Sequence, residues 1–112
     1  MFWDEYKRVE KGLLVSLQEF ISNTELRNEV INGLLKLLEI IKYEVYKVTN
    51  KENLKEGLLL LLSRGIINSN LYQELIDIIN LIEKIHEVDY EIIYSMLVRI
   101  LENFEALHNI LK

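Results

Sequence analysis

The side chains best suited to chemistry in this chain are two histidines, each three residues after a glutamate: Glu83-x-x-His86 and Glu105-x-x-His108. Three residues make about one helical turn, so each glutamate shares a face with its histidine. Two such motifs, joined by glutamates from two other helices, build di-metal centres in four-helix bundles. Axial spacing argues against that centre here. His86 and His108 would stand at opposite ends of one long helix, about 30 Å apart at 1.5 Å per residue, whereas bridged metals need about 4 Å. The simpler expectation is two partly exposed histidines near helix C-termini, where the helix dipole favours a cation. No metal or other cofactor is expected, and no catalytic residue is assigned.

Ribonuclease chemistry would ask for a general acid or base beside a cation that holds the phosphate. Arg99 and His108 are nine residues apart. At 100° per residue they fall on opposite faces of a helix. Arg64 and His86 could meet only through the fold, and they are the one candidate catalytic pair. Nucleophilic chemistry is poorly supplied: the chain has no Cys, and neither histidine belongs to a nucleophile motif. Gly12, Gly33 and Gly57 stand alone within helical patterns rather than in a phosphate-binding loop, and close helix packing is their expected role.

Any of these groups must be positioned by helices, and the hydrophobic spacing predicts five. The first runs from about Asp4 to Phe20, with Tyr6, Val9, Leu13, Leu17 and Phe20 on one face. Ser22-Asn23-Thr24-Glu25 reads as a capping box for the second, about Asn23 to Val48. That helix carries a seam of Leu26, Val30, Leu34, Leu37, Ile41, Val45 and Val48, and a second stripe of Ile31, Leu35, Leu38 and Tyr46. The combined apolar arc is about 200° wide, roughly twice what one packing surface needs. The helix is therefore central or shared with a second subunit, and the second stripe is the candidate dimer interface. A further capping box, Thr49-Asn50-Lys51-Glu52, introduces a third helix over about Lys51 to Arg64, which Gly65 would end. Ser69 or Asn70 would cap a fourth, about Leu71 to His86, and Asp89 a fifth, about Tyr90 to Leu111. The break near Val88 has neither Gly nor Pro; it is expected because a compact domain must fold back to bury both faces.

Composition agrees with a single all-α domain spanning residues 1–112, an antiparallel up-and-down bundle. Half of the 112 residues are apolar, with four Gly and no Pro. A net charge of −5 is a poor footprint for general nucleic-acid binding. The aromatic groups Phe2, Trp3, Tyr6, Tyr43 and Tyr46 are expected in core or interface rather than against bases. The longest apolar run, Leu58–Leu62, is far too short to span a membrane. Acidic Asp4 and Glu5 interrupt the N-terminus, so no secretory leader is expected and the cytoplasm is the expected location.

The order of elements carries one resemblance. A short helix ends in Gly65-Ile66-Ile67, another follows, and Val88-Asp89-Tyr90-Glu91-Ile92-Ile93-Tyr94 opens the last long helix. In this the chain resembles the HEPN family, in particular the HepT-type toxins paired with a minimal nucleotidyltransferase, over nearly its whole length. The resemblance implies a dimeric helical bundle, a nucleotidyltransferase partner acting as antitoxin, and metal-independent ribonuclease activity. That activity depends on an Arg, four to six residues, a His, and a Tyr two residues later. With Val88-Asp89 as landmark, these positions fall on Ile78, Glu83 and Ile85. Ile cannot clamp a phosphate, and Glu83 is a poor substitute for imidazole near neutral pH. The expectation is thus a non-catalytic HEPN-like module that homodimerises and docks a partner. An active ribonuclease with a displaced Arg64/His86 site, and an unrelated structural or regulatory helical protein, are the alternatives.

Overall fold

The sequence's long periodic seams become helices throughout the computed structural model, which describes residues 1–112. Six α-helices form: α1 (Phe2–Glu10), α2 (Leu17–Ser22), α3 (Thr24–Thr49), α4 (Leu54–Ser63), α5 (Ser69–Glu83) and α6 (Tyr90–Leu111). Short 3₁₀ turns at Lys11–Leu14 and Ile85–Glu87 join α1 to α2 and α5 to α6. There is no strand. The 26-residue α3 would be about 39 Å long at 1.5 Å per residue, close to the 44 Å long axis of the molecule. Around it α1, α4, α5 and α6 pack, and 24 buried apolar residues form one core.

Six helices replace the expected five because the first seam breaks. Val15 and Ser16 are extended, at φ −125° and −73° with ψ 161° and 164°. The Ser16 hydroxyl accepts a hydrogen bond from the Glu19 amide at 3.1 Å and starts α2. The expected continuous face is therefore interrupted: Val9 and Phe20 are fully buried, while Leu13 and Leu17 are each 38% exposed.

Three of the expected caps move to a neighbouring asparagine. Asn23 Oδ1, not Ser22, takes the Leu26 amide at 3.0 Å. Asn53 Oδ1 takes the Glu56 amide at 3.0 Å, and Asn68 Oδ1 takes that of Leu71 at 2.8 Å. Thr49 instead donates to the Val45 carbonyl at 2.8 Å, and Asn50 ends α3 in the left-handed region. The break near Val88 is present, with φ −94° and ψ 138°. Asp89 precedes α6 but makes no side-chain cap. Gly65 adopts φ 71°, the conformation that costs least without a Cβ.

The wide apolar arc of α3 is largely consumed within one chain, and the expected dimer stripe keeps little free surface. Ile31 is buried, and Leu35 and Leu38 are half-buried against the core. Only Tyr46, 39% exposed, remains at the surface. The physical reason is that α4 and α5 lie on this side: Leu38 shares a groove with Leu54 of α4 and Ile79 of α5, while α1 crosses the opposite face of α3 at Gly33. A Cβ there would come within 2.9 Å of Val9 Cγ2. The glycine lets the α1 and α3 backbones approach closely on that opposite face.

Candidate functional site

The chain's largest polar and aromatic cluster lies where the start of α1, the C-terminal half of α3 and the end of α6 meet. Phe2 enters the core and stacks face to face on the His108 ring, centroids 4.0 Å apart. Trp3 meets the same ring edge-on at 5.7 Å. His108 Nδ1 faces the Glu44 carboxylate, 2.8 Å from Oε1 and 2.9 Å from Oε2. A carboxylate only accepts, so Nδ1 carries a proton and donates it to Glu44. Both side chains are largely covered, at 14% and 21% exposure.

One turn along α1, the Tyr6 hydroxyl donates to Glu105 Oε1 at 2.9 Å. Burial, then the Glu105 hydrogen bond and the surrounding charges of Glu105, Glu10 and Glu102, push the Tyr6 phenol up to about 12. A group whose pKa rises on folding stabilises fully below its unfolded value and loses that contribution as pH climbs to the folded one. For Tyr6 that window is pH 10 to about 12. Tyr6→Phe should therefore cost about 1 kcal/mol near neutral pH, one hydrogen bond's worth. The gap to the wild type should close above pH 10 in denaturant midpoints measured across that range; a constant gap would show that Tyr6 ionises equally in both states.

A carboxylate-held imidazole is the base half of many hydrolytic sites. This one lacks the other half. Phe2 covers one ring face, and no hydroxyl or thiol is hydrogen-bonded to the ring. The nearest opening, a shallow groove of about 130 Å³, is lined by Glu44, Lys47, Val48, Leu111 and Lys112 rather than by His108. What the arrangement does is clasp three helices together. Sequence spacing missed it, because Glu105 turns to Tyr6 and His108 to a glutamate 64 positions away. The apparent Glu-x-x-His unit thus has its two members engaged elsewhere.

The other candidate residues are scattered. Lys55 Nζ, near the start of α4, lies 2.6 Å from Asn80 Oδ1 and 3.6 Å from Glu83 Oε1, near the end of α5. The two helices are therefore antiparallel, and Arg64 and His86 stand at opposite ends of the pair. The length of α5 alone separates them by about 20 Å. Both are exposed, and the proposed Arg64/His86 site is not assembled. Arg99 and His108 look opposite ways. Arg99 forks onto Glu74 of α5, with Nη2 2.9 Å from Oε1, and reaches Asp77 at 3.4 Å. That hydrogen bond holds the Glu74 carboxyl below the usual range and the Arg99 guanidinium above its own. Glu83 is exposed beside Lys55, and nowhere do three His, Asp or Glu side chains converge as a metal-binding group.

The three positions that the resemblance makes diagnostic divide sharply. Ile78 is 0% and Ile85 2% exposed, both within the core, while Glu83 points to solvent. No family model, no curated protein and no solved structure matches the chain. No helix is long and apolar enough to cross a membrane. Fold and cluster together define a class: an all-helical domain whose main polar cluster joins three helices.

Proposed function

We propose that this chain is a non-catalytic helical module of HEPN type, which acts by docking a partner. The resemblance makes a minimal nucleotidyltransferase the partner class, in a system of toxin–antitoxin kind. One observation carries the reading: the positions where the resemblance would put the catalytic Arg and Tyr hold Ile78 and Ile85, both sunk in the core. Substitutions that merely disabled an exposed site would have left those positions at the surface. Core packing at both positions is what a HEPN-like bundle without its nuclease site would carry. A second copy would find little free surface at Ile31, which is buried, or at Leu35 and Leu38, which are half-buried.

The test is coexpression with a minimal nucleotidyltransferase, followed by gel filtration and a labelled-RNA assay. A stoichiometric complex and intact RNA are expected. Separate elution of the two chains overturns the docking reading. RNA cleavage that follows the purified chain through successive columns overturns the non-catalytic one.

A further inference from the structure

No further inference is drawn: the strongest candidate, the exposed apolar corner formed by Leu13, Leu14, Leu17 and Ile21 where α1 gives way to α2, is an unpartnered face with both acidic and basic side chains beside it, and nothing in the structure shows what covers it.

Discussion

Ile78→Arg is expected to unfold the domain rather than arm it. This substitution places the first residue of the HEPN ribonuclease motif at the position that the resemblance assigns. Ile78 is fully buried among the side chains of the single core. An arginine there forfeits the burial of an isoleucine and brings a cation into an apolar interior with no partner. Each contribution alone costs several kcal/mol, and a domain of this size has about 5–15 kcal/mol in total. A loss above about 4 kcal/mol is therefore expected, seen as a collapse of the urea midpoint or loss of near-ultraviolet dichroism. Glu83→His, the second residue of the motif, should behave oppositely. Glu83 is 54% exposed and meets only Lys55, at 3.6 Å, so its replacement should cost under about 1 kcal/mol. Ile78→Val, which removes one methylene, should cost about 1 kcal/mol and provides the scale. The double variant Ile78→Arg/Glu83→His should neither fold nor cleave RNA. A folded Ile78→Arg protein with an unchanged midpoint would place that side chain outside the core, and the support that its burial lends to the non-catalytic reading would fail with it.

The contrast between Ile78 and Glu83 shows what residue order can and cannot convey. The long elements were legible: α3 and α6 follow seams sustained over 26 and 22 residues, and their ends agree with expectation to within a residue. Gly65 was legible because a left-handed residue after a helix favours one amino acid. Cap identity was less so. Ser22, Asn23 and Thr24 are adjacent and all able to cap, and the structure uses Asn23. Ser16-Leu17-Gln18-Glu19 carries the same Ser-x-x-Glu pattern. Yet it lies inside an unbroken apolar seam, and periodicity outweighed it. Gly12 adds to the reason for the break, because a Cβ there would meet Leu97 Cδ1 at 2.7 Å and Val30 Cγ2 at 3.2 Å. The chain must bend where it is squeezed between α3 and α6. That squeeze is tertiary and has no local signature. The pairing of His108 with Glu44 was wholly illegible, since nothing in the spacing of two residues 64 positions apart selects one glutamate among many.

Helix crossings supply the second large effect, and its sign is the informative part. At an open helical site, Gly→Ala stabilises by about 0.5–1 kcal/mol, because alanine has less backbone freedom to lose. Gly57→Ala is expected to destabilise instead, by about 1–3 kcal/mol. A Cβ on Gly57 would stand 2.5 Å from Val45 Cγ1 and 3.1 Å from Thr49 Oγ1. Val45 is fully buried on α3 and, being β-branched in a helix, has essentially one rotamer available. Thr49 is held by its bond to the Val45 carbonyl. Neither neighbour can swing aside, so α4 would have to move off α3. Val45→Ala should reverse the penalty, because it removes the methyl that the new Cβ strikes. The double variant Val45→Ala/Gly57→Ala should then be more stable than the sum of the single effects, by about 1–2 kcal/mol in a urea cycle. Gly65→Ala separates crowding from backbone strain. Nothing lies within 4 Å of its Cβ, yet φ is +71°. Its cost of about 1 kcal/mol should be unaffected by Val45→Ala. A Gly57→Ala protein more stable than the wild type, with additive energies in the cycle, would mean that α4 rides loosely on α3. The crossing could not then hold the α4–α5 hairpin that carries Ile78 into the core.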